Sequence, residues 1–182
     1  MRFSLLGGLA LFLLLAGRPS AAAPNPLEVP RTVTGNSATW FGDRYSIALE
    51  VLAPNVPAPV LLDVTLSVLA QWAHETARGR SEFCFNLGGW RARPRDRFFV
   101  SADLAAPGKF HWTAYRDLPN AVADQLERLH DQFPSAWALL IKQPTSSAWV
   151  EELGRKGYYT SSPIAYAHAW AMHRAELGSL VS

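Results

Sequence analysis

From Val60 onward, apolar residues return at every fourth position: Val60, Val64, Val68 and Trp72, with Thr76 closing the series and Leu61, Leu69 and Ala73 beside it. An α-helix brings positions i and i+4 to one face, so this spacing predicts a strongly apolar, central helix. Glu75 falls in its last turn. Gly79 offers the stop, because glycine adopts the left-handed conformation that ends helices at little cost. Upstream, GDRYSIALEVLAP reads as a short helix ending at Pro54, and NVPAPV as a linker. Residues 24–41, rich in Pro, Thr, Asn and Ser, read as an irregular lead-in.

Between Arg91 and Asp117 the helical period disappears. RFFVSADLAAPGKFHWTAY holds two aromatic, β-favouring runs around a Pro-Gly pair, the pattern of a hairpin. Helical spacing then resumes. LPNAVADQLERLHDQF carries Val122, Leu126 and Leu129 on one face, with Pro119 tolerated in the first turn. SAWALLIK follows Pro134, and SSAWVEELGRKG runs from a serine cap to Gly157. SPIAYAHAWAMHRAELG has Ser162 as N-cap, Pro163 at the first helical position and Gly178 after the end. The expectation is an α+β chain, mainly helical, with a small β-hairpin near the glutamate.

The start of the chain changes the domain count. Arg2, the apolar run FSLLGGLALFLLLAG and the small residues of RPSAAAP form a secretory signal, with cleavage after Ala22 or Ala23. An uncleaved membrane anchor is the alternative, but the run is short for a bilayer. Residues 1–23 are therefore set apart, 24–59 form the lead-in with its possible short helix, and 60–178 the domain proper. The expected location is secreted or periplasmic, with no stable membrane insertion after cleavage. Losing Arg2 and Arg18 brings Lys+Arg from 17 to 15, level with 15 Asp+Glu. A formally neutral mature chain does not carry a nucleic-acid footprint. Cys84 is the single cysteine, so no internal disulfide forms, and seven Trp and nine Phe point to stabilisation by packing.

Glu75 is the residue with chemistry in view. Apolar neighbours such as Trp72 disfavour its charged form, which suits an acid that protonates a glycosidic oxygen. The alternative is a solvated helix-end charge paired with Arg78 or Arg80. No zinc helix is present, because Arg78 stands where HExxH needs its second histidine. His168 and His173 are five apart and do not share a helix face well. Neither metal nor cofactor is expected.

The segments WAHETARGRS, FNLGG, FHWTAY and WVEELGRKGYYTSSPIAYA occur in an order that resembles the bacterial cell-wall glucosaminidases, the lysozyme-like group with the flagellar muramidases and endo-β-N-acetylglucosaminidases. The likeness covers roughly residues 60–176. It implies a lysozyme-like single domain, with the hairpin beside the cleft and peptidoglycan or a related amino-sugar polymer as partner. Glu75 is implied as catalytic acid, Tyr158 as the tyrosine facing it across the cleft, and Asn86 as the turn asparagine. Asn86, Trp90 and Tyr159 are the candidate substrate contacts. By residue type alone, Tyr158 and Tyr159 equally suit a packing pair. Ala77 departs from the family's usual glycine, FNLGGW has one asparagine where two are common, and no second carboxylate stands out among Asp96, Asp103 and Asp117. The departures leave three alternatives: a hydrolase, a lytic transglycosylase, or a glycan-binding or scaffold protein without turnover. Six arginines between Arg78 and Arg97 read either as a basic cleft rim for an anionic polymer or as a solvated face.

Overall fold

The computed structural model describes residues 37–79, 82, 84–94, 96–100 and 111–181. The expected signal segment, Asp103, and Pro107-Gly108 at the expected hairpin turn lie outside them. Six helices and two short strands follow in order: α1 Ser37–Leu52, α2 Ala58–Glu75, β1 Phe98–Val100, β2 His111–Thr113, α3 Leu118–Gln132, α4 Pro134–Lys142, α5 Ala148–Arg155 and α6 Pro163–Gly178. The strands pair antiparallel, Phe98 opposite Thr113 and Val100 opposite His111. Among the described residues, no helix is long and apolar enough to cross a membrane.

Helix α2 is the axis of the fold. Every residue from Val64 to Ala73 is buried, as the apolar run predicts for a helix covered all round. α6 and α1 pack along it, α4 touches it, α3 lies on α1, and α5 bridges α4 and α6. Trp40, Trp72, Trp149 and Trp170 are fully buried at this centre. Truncating one such ring to alanine typically costs about 3–5 kcal/mol.

Two boundaries differ from the sequence reading. α1 begins at Ser37, inside the segment read as irregular, and Gly42 sits within the helix. Burial of Trp40 and Phe41 in the core outweighs the modest cost of that glycine. α2 begins at Ala58, so Pro57 and Pro59 are its cap and first turn rather than linker. A proline there forfeits no helical hydrogen bond. At α3, Asp117 caps the helix by accepting from the Asn120 amide at 2.9 Å.

The end of α2 is sharply built. The Thr76 hydroxyl donates to the Trp72 carbonyl at 2.8 Å and accepts from the Gly79 amide at 3.0 Å. Ala77, Arg78 and Gly79 then follow one another in the left-handed region, with φ of 48°, 57° and 84°. A side chain on Gly79 would lie 2.4 Å from the Trp40 ring. That glycine is required twice over, by its conformation and by the indole.

Candidate active site

Four segments converge on Glu75: the end of α2, the Asn86–Trp90 loop, the Tyr158-Tyr159 pair and the start of α6. The Tyr166 phenol on α6 donates to Glu75 Oε1 at 2.5 Å. One turn before Glu75, the Gln71 amide donates to the phenol oxygens of Tyr158 at 2.8 Å and Tyr166 at 3.3 Å. Tyr158 in turn donates to the Gly88 carbonyl at 2.6 Å. Glu75 Oε2 faces Gly89, where a β-carbon would stand 3.7 Å away.

Burial raises the Glu75 carboxyl above its ordinary range, opposed by the hydrogen bonds of Tyr166 and Gln71. The same burial, reinforced by the Glu75 charge, holds the phenols of Tyr158 and Tyr166 well above theirs, so both remain protonated donors. Tyr159 lies flat on Tyr166, 3.8 Å between ring centroids and 1° from parallel. His74 meets the Tyr166 ring edge-on at 4.4 Å, and burial lowers its proton affinity.

The residues singled out from sequence fall in two groups. Glu75 and Tyr158 are joined through Gln71, with the Tyr158 phenol directed to Gly88 and the Tyr166 phenol to the carboxyl. Tyr159 donates to the Val150 carbonyl at 2.8 Å and braces Tyr166. Asn86 is buried and closes its own loop: it accepts from the Trp90 amide at 2.8 Å and donates to the carbonyls of Trp90 and Thr113. Trp90 is buried too, edge-on to Tyr158 with centroids 5.1 Å apart. These contacts give Asn86 and Trp90 a part in shaping the loop opposite Glu75. Tyr166 and Gln71 escaped the sequence reading. Gln71 carried one signal, being four residues before Glu75 and thus on its face of the helix.

The arginines are interlaced with acids. Arg78 pairs with Glu176, and Arg93 with Asp96 and Asp124. Arg91 lies 5.9 Å over the Trp112 ring, while Arg80 and Arg95 lie outside the described residues. Asp96 also receives Arg128 at 2.8 Å. Asp117 is occupied as the cap of α3. Among the described residues, no cluster of three or more His, Cys, Asp or Glu is placed to hold a metal ion. Cys84 is buried, and burial pushes its thiol up to about 11, the state of an inert packing residue.

Among the described residues the site is thus a single desolvated carboxyl, ringed by tyrosines and facing a glycine turn, on a mainly helical fold. Two solved structures share that fold. Peptidoglycan hydrolase from Sphingomonas sp. A1 superimposes with a TM-score of 0.59 at 20% identity, covering 80% of this chain and 90% of that one. A glutamate-to-alanine mutant of the same hydrolase gives 0.58 at 19%, covering 80% and 92%. The fold is consistent with the lysozyme-like expectation. No protein-family profile matches the chain, and no curated protein sequence does.

Proposed function

We propose that the chain is an exported peptidoglycan hydrolase that cuts β-1,4 glycosidic bonds by general acid catalysis from Glu75, of the N-acetylglucosaminidase type. The carrying observation is the setting of Glu75: a buried carboxyl whose proton affinity burial raises, at a helix end, with one oxygen bound by Tyr166 and the other facing the glycine turn. A protonated carboxyl is what a leaving glycosidic oxygen requires. The C1–O bond breaks as the Glu75 proton reaches the leaving oxygen. Water then bonds to C1 and releases its proton to the new carboxylate or to solvent. The shared fold with a peptidoglycan hydrolase supports the polymer, and the leader supports export. In a transglycosylase variant of the scheme, the sugar's own hydroxyl replaces water.

A second reading is a glycan-binding or scaffold protein without turnover. It is favoured by the lone acid among the described residues: burial, Tyr166 and Gln71 are what shift Glu75, with no second described carboxylate among the causes.

The test is incubation of the mature chain (24–182) and Glu75→Gln with purified peptidoglycan, followed by mass spectrometry of the released fragments. New reducing ends from the wild type alone establish the glycosidase, and the terminal sugar names the bond. Anhydro ends indicate transglycosylation. A folded chain that sediments with the polymer yet releases nothing supports the binding reading.

A further inference from the structure

The site around Glu75 contains a directed hydrogen-bond wire whose sense is set at a group that never titrates. The Gly88 carbonyl can only accept, so the Tyr158 phenol must donate to it across their 2.6 Å contact. With its hydrogen committed, Tyr158 can only accept from Gln71, which fixes the amide with Nε2 toward the phenols. The same Nε2 faces Tyr166 at 3.3 Å. Tyr166 therefore also accepts from Gln71 and must send its own hydrogen to Glu75 Oε1. This orientation leaves Gln71 Oε1 buried without a hydrogen-bond partner, a cost the two phenol contacts offset.

Resting on the reading of Glu75 as the acid, the geometry points to Gln71, Tyr158 and Tyr166 as positioning residues that hold Glu75 Oε1 permanently as an acceptor, so that the catalytic proton resides on Oε2, the oxygen facing Gly89, and is delivered from there to the glycan. A carboxylic acid whose Oε1 receives a hydrogen bond carries its own proton on the other oxygen. When that proton leaves, the bond from Tyr166 turns from a neutral to a charge-assisted one and strengthens. The wire thus favours the state that forms during bond cleavage over the resting state, the condition for raising kcat rather than lowering KM. Gly89, with φ +62°, places no side chain there: among the described residues beyond its chain neighbours, Oε2 alone comes within 4 Å of its missing β-carbon.

The experiment follows the Glu75 carboxyl by carbon NMR in chains labelled at glutamate, comparing wild type, Tyr166→Phe, Tyr158→Phe and the double variant, with a Glu75→Gln spectrum for assignment. Phenylalanine preserves both rings, and a thermal melt checks each fold. Tyr166→Phe removes the donor and moves the Glu75 titration to higher pH. Tyr158→Phe frees the Gln71 amide to turn, allows the protonated carboxyl to donate to Tyr166, and gives a smaller upward shift. In the double variant Tyr158→Phe adds less than it does alone, because the part that acts through Tyr166 is already gone and only the Gln71 contact with Glu75 remains. In glycan cleavage, Tyr166→Phe lowers kcat about tenfold with KM nearly constant, and the alkaline limb of the pH profile moves up. An unmoved titration in Tyr166→Phe, or additive shifts in the double variant, overturns the wire whatever the activity. Cooperative shifts in a wild type that cleaves nothing leave the wire standing and overturn its catalytic role together with the acid reading.

Discussion

Tyr159 and Tyr166 lie face to face, one on the segment before α6 and one in its first turns, with 3.8 Å between their rings. Behind Tyr159 there is no slack: a β-carbon on Gly154 would stand 2.5 Å from the Tyr159 hydroxyl. The stack is therefore a backstop for the phenol that reaches Glu75. Tyr159→Ala is expected to destabilise the chain by about 2–3 kcal/mol and to reduce turnover further by loosening Tyr166. Tyr159→Phe keeps the stack and much of the turnover. Denaturant unfolding and cleavage rates on the same samples separate the two effects.

Glu75 places function against stability. Its carboxyl is raised in the folded state above the ordinary 4.5, so the folded chain binds more protons than the unfolded one between those two values. Stability therefore falls as pH rises from about 4.5 through the folded value. Glu75→Gln carries no such penalty. The variant is expected to be more stable than wild type at pH 7, with the difference shrinking towards pH 4. Urea midpoints at the two pH values measure it, and an equal difference at both would contradict the account.

Ala77 takes φ 48°, a conformation that costs an L-residue about 1–2 kcal/mol. Glycine relieves that strain but loses more entropy on folding. The expected net gain for Ala77→Gly is about 0.5–1 kcal/mol, read as a higher denaturation midpoint at unchanged slope. Arg78→Gly, at φ 57°, relieves similar strain but gives up the pair with Glu176, so its gain should be smaller or absent.

Arg44 and Glu82 form a buried ion pair, with Trp40 Nε1 donating to the same carboxylate at 2.8 Å. Removing one partner strands the other charge, which costs about 3–5 kcal/mol. Arg44→Ala should lose that much stability. Arg44→Met combined with Glu82→Leu should recover a large part of it, and a double variant as unstable as the single one would refute the reasoning.

The sequence made some of this legible and hid the rest for a physical reason. The four-residue period from Val60 placed α2 and the position of Glu75 on it, because a helix covered by neighbours is apolar at most of its buried positions. Helix starts marked by Pro119, Pro134 and Pro163 were equally readable, since proline constrains its own φ. Contacts between distant segments left no such trace. Tyr166 meets Glu75 across 91 positions, and nothing in SPIAYAHAW distinguishes its tyrosine from the others. Glu82 read as one charge among arginines, yet its partner Arg44 lies 38 positions upstream. Asn86 stood out as a turn residue, and its three hydrogen bonds stitch the loop and β2 together, a task that spacing alone does not separate from contact with a glycan.

The grip of α1 on the turn behind Glu75 bears on where a working fragment begins. The Trp40 ring fills the space that Gly79 leaves free, and Trp40 and Arg44 together hold Glu82. A piece cut at Val60 would keep Glu75, Gln71 and all three tyrosines, yet lose the brace that shapes the chain just beyond the acid. A portable version of this site therefore has to carry α1 with it, and engineering of the acid's direction can be done from Trp40 and Arg44 on that helix.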